Sequence, residues 1–274
     1  MSPVRRSRIS IWSSPPMSDL GLLFHQFRFE NRSFWRNPAA AFFTIFFPLM
    51  FLVIFNVVFG NEDIASPTGE TFSASNFFVP AILAFSVITA TYTNVAMSMT
   101  FKRDDGQLKR VRGTPMPAWV YLGGRISHAV AMAFMLSVIT IAFGAAFYGT
   151  EIPTTTLPAL LVILVVGSGA FAALGLAITG FIPNADAAPA VVNFSILPLL
   201  FLSDVFIKVE DPPVWMDWVG KIFPVKHISL ALQTVFNPFE PGSGFEWDHI
   251  GAVALWGVIG VAIAVRFFTW EPRK

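Results

Sequence analysis

The sequence contains no cysteine and very little charge. Without cysteine, the chain can form no disulfide, no thiolate metal site and no cysteine nucleophile. Asp, Glu, Lys and Arg make up only 13% of the 274 residues, whereas 54% are hydrophobic. Soluble domains carry roughly 25% charged residues, so this composition excludes a soluble protein and indicates one embedded in a membrane. The net charge of +1 gives no reason to expect a nucleic-acid partner.

The sequence signatures of hydrolases, metalloenzymes and nucleotide-binding proteins are missing as well. None of the four histidines belongs to an HExxH or comparable metal-binding pair, and no GxSxG stretch is present. The pattern GxxxxGK[ST] is also absent, so the chain has no loop of its own to cradle ATP phosphates. We therefore expect no catalytic residue, no metal site and no cofactor bound by this chain.

Six apolar segments are long enough to cross about 30 Å of hydrocarbon as helices. Arg125 and His128 interrupt the third segment, which leaves Ile126 as an alternative start for it. The sequence predicts an all-α integral membrane protein with six transmembrane helices. The predicted spans lie near residues 41–59, 77–100, 120–148, 157–182, 189–207 and 249–269.

The basic residues predict the orientation of these spans. With a cytoplasmic N-terminus, fifteen of the eighteen Lys and Arg residues fall on the cytoplasmic side and three on the outer side. Cytoplasmic loops of membrane proteins carry an excess of Lys and Arg. We therefore expect a multi-pass protein of the plasma membrane with both termini in the cytoplasm.

The N-terminal region divides into two parts. Residues 1–17 are rich in Arg, Ser and Pro and are predicted to be a disordered tail, with Met17 as an alternative start of the chain. Residues 18–37 alternate apolar with charged side chains, which predicts an amphipathic helix at the cytoplasmic interface of the membrane. A loosely attached tail is the alternative. The residues expected at the lipid headgroups are Arg28, Arg32, Trp35 and Arg36.

A second amphipathic stretch follows the predicted fifth span. Val214, Trp215, Trp218, Val219 and Ile222 fall on one helical face. Because tryptophan is enriched at membrane–water interfaces, Trp215 and Trp218 predict a helix that lies at the outer interface. The alternative is an ordinary outer-loop helix packed on the spans.

The spans contain few polar groups. Asn56, Asn94 and Asn193 are the strongest, and Asp204 lies at the outer end of the fifth span. These residues are candidates to line a transport pathway, although hydrogen bonding between helices is an equally good interpretation of the asparagines. Ion-coupled carriers need ionisable groups within the membrane, so the shortage of such groups argues against transport driven by protons. Small residues in the fourth span, such as Gly167 and Gly175, predict close helix packing within one chain, with a dimer contact as the alternative.

The most distinctive stretch is the charged loop after the second span, within residues 101–125. Its central residues 104–113 predict a short helix with carboxylates at its start and cations at its end, as the helix dipole favours. Gly106 allows a sharp turn into this helix, and Gly113-Thr114-Pro115 ends it. Leu108 and Val111, three residues apart, are expected to share the face that contacts a partner. The predicted contact residues are Asp104, Asp105, Gly106, Leu108, Lys109, Arg110, Val111, Arg112, Thr114 and Pro115.

The stretch DGQLKRVRGTP at 105–115 resembles the G-T-L-x-x-L-x-x-T-P coupling-helix motif of type-2 ABC exporter permeases, with Gln107 for Thr and Val111 for Leu. A second similarity is LSDVFI at 202–207, PVW at 213–215 and FPVKH at 223–227, which resemble that family's S-G-x-x-x-P, P-x-W and P-x-x-H run. Asp204 replaces the usual Gly there. The resemblance covers roughly residues 18–270 and implies one transmembrane domain, followed by a cytoplasmic tail at 271–274.

The resemblance also implies a function. Two permease chains, identical or different, would work with separate ABC ATPase subunits that bind ATP and Mg, and would export a drug-like molecule, a lipid or a glycan. The thirty Phe residues favour an amphiphilic substrate. The alternatives are a membrane scaffold or regulatory subunit without a transport pathway, and an integral membrane enzyme.

Overall fold

The computed structural model describes residues 18–59, 63–65, 71–73, 75–203, 205, 213–237 and 242–272. The predicted N-terminal tail at 1–17, Asp204, the far end of the predicted fifth span and the last two residues lie outside these ranges. Within them, the fold is a bundle of helices with one small hairpin. Five helices are long and apolar enough to cross a membrane.

The chain enters the bundle through two consecutive helices. Helix α1 spans Asp19–Trp35, and the hydroxyl of Ser18 caps it by accepting a hydrogen bond from the Gly21 amide at 3.3 Å. Helix α2 spans Pro38–Phe59 and forms the first candidate span. Its first turn is capped by the side-chain oxygen of Asn37, which accepts from the Ala40 amide at 3.2 Å.

A short antiparallel hairpin connects the first two spans. Strand β1 at Asp63–Ala65 pairs with β2 at Thr71–Ser73, with Ile64 opposite Phe72. This hairpin was not expected from the sequence. We call the end of the bundle that carries it the hairpin end.

The second span is the central helix of the bundle. It consists of α3 at Ser75–Ile88, a π-helical turn at Thr89–Thr93 and α4 at Asn94–Asp104. Most of its apolar length is buried by other helices, whereas α2 is largely exposed. A π-turn widens the helix locally and is frequently found at functional sites.

The short helix α5 at Gln107–Arg112 follows, at the end of the bundle opposite the hairpin; we call this the α5 end. Helix α6 then spans Ala118–Tyr148 without interruption. The alternative in which the third span begins at Ile126 is therefore wrong. The helix continues through Arg125 and His128 because both side chains are buried against neighbouring helices. Helix α7 spans Leu157–Thr179.

Helix α8 is shorter than the predicted fifth span. It covers Ala188–Phe201 and contains Pro198. Fourteen residues at 1.5 Å per residue give about 21 Å, less than the hydrocarbon core of about 30 Å. The structure therefore confirms five of the six predicted spans by length and gives the fifth as a short apolar helix.

The segment between α8 and the last span contains two helices. Helix α9 spans Val214–Ile222, and α10 spans Pro224–Phe236. From the sequence, the α10 segment was expected to be part of an outer loop. In the structure its apolar side chains, among them Val225, Ile228 and Leu232, are buried against α3, α7 and α11.

The last span, α11 at Trp247–Phe267, packs closely along α7. A Cβ atom added at Gly257 would lie 3.0 Å from the Cβ of Ala170, and one at Gly175 would lie 2.7 Å from the Tyr92 carbonyl oxygen. The small residues of α7 and α11 thus let helices of the same chain approach one another. This confirms the interpretation of the fourth-span glycines as packing within one chain.

Candidate functional site

The first candidate site is helix α5 with its two flanking turns. The backbone of Gly106 adopts φ 71°, a left-handed conformation that suits glycine, as expected from the sharp turn at this position. The helix proper covers only 107–112. Asp104 belongs to the end of α4 and Asp105 to the turn after it, so the expectation that these carboxylates begin the short helix is wrong.

Leu108 does not point towards a partner. Its side chain is fully buried in a cluster with Val95, Met99 and Tyr121 of the chain itself, against which Val111 also packs. The prediction that Leu108 and Val111 form an outward docking face is therefore wrong. Leu108 instead fixes α5 to α4 and α6.

The outward face of α5 is polar and basic. Lys109, Arg110 and Arg112 are exposed, as are Thr114 and Pro115 after the helix. The hydroxyl of Thr114 donates to the Val111 carbonyl at 2.7 Å and thereby closes the last turn. Any partner of this loop would meet cationic side chains on a rigidly anchored helix.

A buried arginine joins α4 to the connection between α7 and α8. Arg103 donates to the carbonyl oxygens of Thr179 at 3.0 Å and Ile182 at 2.9 Å, and its Nε lies 3.0 Å from Oδ1 of Asp104. Asp104 in turn accepts a hydrogen bond from the Ala185 amide. These contacts connect the end of α4, just before α5, to the segment that leads into α8.

A second set of buried charges lies at the same end of the bundle. Glu30 of α1 is 2% exposed and contacts Lys102 of α4 at 2.6 Å and Arg125 of α6 at 3.0 Å. We call these three residues the Glu30 cluster. Burial raises the pKa of Glu30, but the nearby guanidinium of Arg125 and ammonium of Lys102 outweigh it, so the pKa lies below its ordinary value. The carboxylate is therefore charged at neutral pH.

Hydrogen bonds extend the Glu30 cluster towards the second span. The amide of Gln26 donates to Glu30 at 3.0 Å. Arg125 donates to the Asn94 carbonyl oxygen at 3.2 Å and also to the side-chain oxygens of Asn94 and Ser98. Within the described residues, the Nε atom of Arg125 has no hydrogen-bond partner. The cluster thus ties α1, α4 and α6 together.

Sequence reasoning missed this cluster. The visible signal was an Arg and a His that interrupt an apolar run, together with a lone Glu in the N-terminal amphipathic helix. Their proximity depends on Gly124, where an added Cβ would lie 2.6 Å from Cγ of Gln26. Only the crossing of α1 over α6 brings the three charges together.

The outward face of α1 carries the predicted interfacial residues. Arg28, Arg32, Trp35 and Arg36 are all exposed. Leu20, Phe24 and Phe29 are exposed beside them. A free face that mixes large apolar side chains with arginines is typical of helices at a lipid–water boundary.

A cleft of about 690 Å³ opens between α2, the second span and α8. Asn94 and Asn193 both line it, as do Phe43, Phe47 and Phe85. Asn56 does not line it: its amide donates to the Leu52 carbonyl at 2.9 Å and its side chain is buried. Of the four candidate pathway residues, the structure brings two together, places Asn56 elsewhere and does not describe Asp204.

Helix α9 presents its apolar face outwards. Val214, Trp215, Trp218 and Ile222 are each more than half exposed. The alternative in which this face packs on the spans is therefore wrong. On the inner side of the helix, Asp217 lies 2.6 Å from Lys221 and 3.2 Å from Lys226, and these hydrogen bonds hold its pKa below the ordinary value.

Two histidines that are isolated in the sequence meet beside α9. His227 Nδ1 lies 2.9 Å from Nδ1 of His249, and His227 Nε2 lies 2.9 Å from the Lys221 carbonyl oxygen. Because a carbonyl only accepts, Nε2 of His227 carries a hydrogen, and in neutral His227 the Nδ1 atom then accepts from His249. In the described part of the chain, no group of three or more side chains of metal-binding type comes together.

The comparison with known proteins agrees with this architecture. The chain is 26% identical over 259 residues to the inner membrane transport permease YadH of Escherichia coli K12, covering 90% of this chain and 94% of that protein. It is 24% identical over 231 residues to the putative transport permease ycf38 of Porphyra purpurea, covering 83% and 76%. It is 26% identical over 228 residues to the daunorubicin resistance ABC transporter permease protein DrrB1 of Streptomyces coeruleorubidus, covering 79% and 74%.

The sequence profile of the ABC-2 type transporter family matches residues 22–237, from α1 to the end of α10. This range includes α5, the Glu30 cluster and the cleft. The chain therefore belongs to the ABC-2 type transporter family and is a membrane permease.

Proposed function

We propose that this chain is the permease subunit of an exporter and that a separate ABC ATPase supplies the energy. The exporter moves an amphiphilic drug-like or lipid substrate out of the cytoplasm or inner leaflet. One observation carries the proposal: the basic helix α5 directly follows α4, which lines the cleft and is hydrogen-bonded through Arg103 and Asp104 to the segment before α8, another wall of the cleft. The chain itself supplies no phosphate-binding loop, so ATP and Mg belong to the partner. A drug-resistance permease among the relatives supports this substrate class.

The ATPase docks on the exposed basic face of α5. Lys109, Arg110 and Arg112 meet acidic groups on the ATPase, while Leu108 holds α5 against the bundle. Rigid anchoring matters because a loosely attached helix would absorb the motion of the ATPase. Arg103 and Asp104 pass that motion to α8, which forms one wall of the cleft.

The proposed topology has six crossings with both termini in the cytoplasm. The excess of Lys and Arg at the α5 end supports this orientation. Helix α8 belongs to the fifth crossing. Helix α1 lies at the cytoplasmic interface and α9 at the outer interface, which the exposed apolar faces of both helices support.

A second permease chain, identical or different, completes the pathway. Several apolar side chains beside the cleft, such as Phe43, Phe47, Phe194 and Leu197, are exposed on α2 and α8. Exposed apolar patches of this kind mark protein or membrane contacts. In a dimer, the clefts of both chains would face one shared pathway.

The test is co-expression of the chain with an ATPase encoded beside its gene. We expect the two to co-purify and ATP hydrolysis to rise in the presence of a transported amphiphile. Replacing Lys109, Arg110 and Arg112 together by Ala should abolish recruitment while leaving the thermal stability of the permease unchanged, because all three side chains are exposed. The matched control replaces Arg28, Arg32 and Arg36, which are exposed on α1. Recruitment of the ATPase by the α5 variant would refute the docking proposal.

A further inference from the structure

The wall of the cleft is uncharged. Every described residue that lines it is apolar or carries a neutral polar group. The hydroxyls of Thr44 and Thr89 bond to backbone carbonyls of their own helices. The amide groups of Asn94 and Asn193 and the hydroxyl of Thr93 remain to meet a ligand.

One end of the cleft, which we call the polar end, carries three polar side chains beside the apolar Met97 and Phe101. Asn37, Asn94 and Ser98 lie towards the α5 end, near the start of α2 and within α4. Phe47 lies ten residues after Asn37, and Phe85 lies nine residues before Asn94 on the second span. At 1.5 Å per helical residue, both phenylalanines are about 14 Å nearer the hairpin end. This arrangement matches a molecule with a polar headgroup and an apolar body.

An excess positive charge lies directly behind the polar end. The Glu30 cluster contains one carboxylate and two cations, because Lys102 and Arg125 share Glu30. The neighbouring Arg103 has its own carboxylate, Asp104. Arg125 is only 5% exposed, so water screens its charge weakly.

Asn94 connects this charge to the cleft. Its side-chain oxygen accepts a hydrogen bond from Arg125, which fixes the orientation of the amide because a guanidinium can only donate. Among the described residues, the hydrogen bonds between Asn94 and Arg125 use the oxygens of Asn94, and none uses its Nδ2 atom. Because Asn94 also lines the cleft, its two N–H donors are available to a ligand there.

We propose that the cleft selects amphiphiles with an anionic headgroup. The headgroup accepts hydrogen bonds from Nδ2 of Asn94 within the field of the Glu30 cluster, while the apolar body lies along Phe43, Phe47 and Phe85. A cationic headgroup at the same place would meet N–H donors and a positive potential. This inference rests on the proposed export function and specifies its substrate class.

The experiment uses proteoliposomes that contain the permease together with the ATPase with which it co-purifies. The probes are fluorescent NBD phospholipids of identical chains with three headgroups: anionic phosphatidylglycerol, zwitterionic phosphatidylcholine and cationic ethylphosphatidylcholine. Dithionite quenching reports ATP-dependent movement between leaflets. We expect phosphatidylglycerol to move about tenfold faster than the cationic lipid. Dodecyl phosphate should inhibit the movement of phosphatidylglycerol, and dodecyltrimethylammonium should not.

Two variants test the residues. Asn94→Asp keeps an oxygen facing Arg125 but replaces the N–H donors by a carboxylate oxygen, so anionic movement should fall about tenfold. Lys102→Gln removes the excess charge and leaves Glu30 paired with Arg125, so the anion preference should fall to within about threefold of parity. The matched control is Asn184→Asp, which is exposed outside the cleft and keeps its bond to the Ala187 amide. The control should retain the wild-type preference.

The outcomes separate this inference from the proposed function. ATP-dependent movement of cationic or zwitterionic lipid as fast as that of anionic lipid would overturn the headgroup inference and leave the export function standing. An unchanged anion preference in both Asn94→Asp and Lys102→Gln would also overturn it. Absence of ATPase recruitment and of ATP-dependent movement of all three lipids would reject both.

Discussion

Nη1 of Arg125 lies 3.0 Å from Oε2 of Glu30, and this ion pair joins α6 to α1 across 95 positions of the chain. Among the described residues, Glu30 is the single carboxylate in contact with both Arg125 and Lys102. Removing one member of a buried ion pair leaves an uncompensated charge in a poorly solvated place. The position of α1 on the bundle therefore depends on this residue.

Glu30→Gln should destabilise the permease by about 3–5 kcal/mol, because two buried cations then lose their counter-charge. The measurement is thermal unfolding of the purified protein in detergent. The double variant Glu30→Gln, Lys102→Gln removes one of those cations and should recover part of the loss. Glu151→Gln, at an exposed position, is the control and should unfold like the wild type. Equal stability of Glu30→Gln and wild type would show that the cluster does not hold α1.

Leu108→Ala should destabilise the permease itself by about 2–5 kcal/mol, because this fully buried side chain fills the space between α4, α5 and α6. Leu108→Asp should prevent stable folding of the α5 end, since it buries an unpaired charge. Thermal unfolding and the yield of monodisperse protein measure both effects. Gln107→Ala, next to Leu108 but exposed, provides the comparison. If Leu108→Asp folds normally and loses only ATPase recruitment, Leu108 is a docking residue after all.

Replacing Trp215 and Trp218 together by Asp should impair membrane assembly or export, because both side chains project from α9 into the surroundings of the bundle. Burial of a large apolar side chain contributes about 1.5–3 kcal/mol. The matched variant with Leu at both positions keeps the apolar face and should retain activity. Expression level, size-exclusion profile and transport are the measurements. Wild-type behaviour of the double Asp variant would exclude an anchoring role.

Single cysteines can test the orientation, since the chain has none of its own. Gln107 and Ser243 are both exposed and lie at opposite ends of the fold. In intact cells, a cysteine at position 243 should react with a membrane-impermeant thiol reagent and one at position 107 should not. Permeabilised cells should show labelling at both positions. Labelling of position 107 from outside would reverse the proposed topology.

The sequence by itself determined the membrane character of the chain, five of its spans and the exposed apolar face of α9. These features depend on runs of apolar residues and on their helical spacing, which are local properties. The left-handed turn at Gly106 was likewise predictable, because glycine adopts that conformation readily.

Only the tertiary structure decided which residues form the site. The charged loop around Leu108 predicts a docking residue. In the structure Leu108 is buried, because α4 and α6 bring Met99 and Tyr121 against it. The sequence predicts Glu30 to be one more polar residue of an amphipathic helix. In the structure it pairs with Lys102 and Arg125, which are 72 and 95 positions away in the chain. Helix α10 is too short to be recognised as a buried element from its length. In each case the physical reason is the same: burial and charge pairing depend on helix crossings between distant segments, and no local pattern records those crossings.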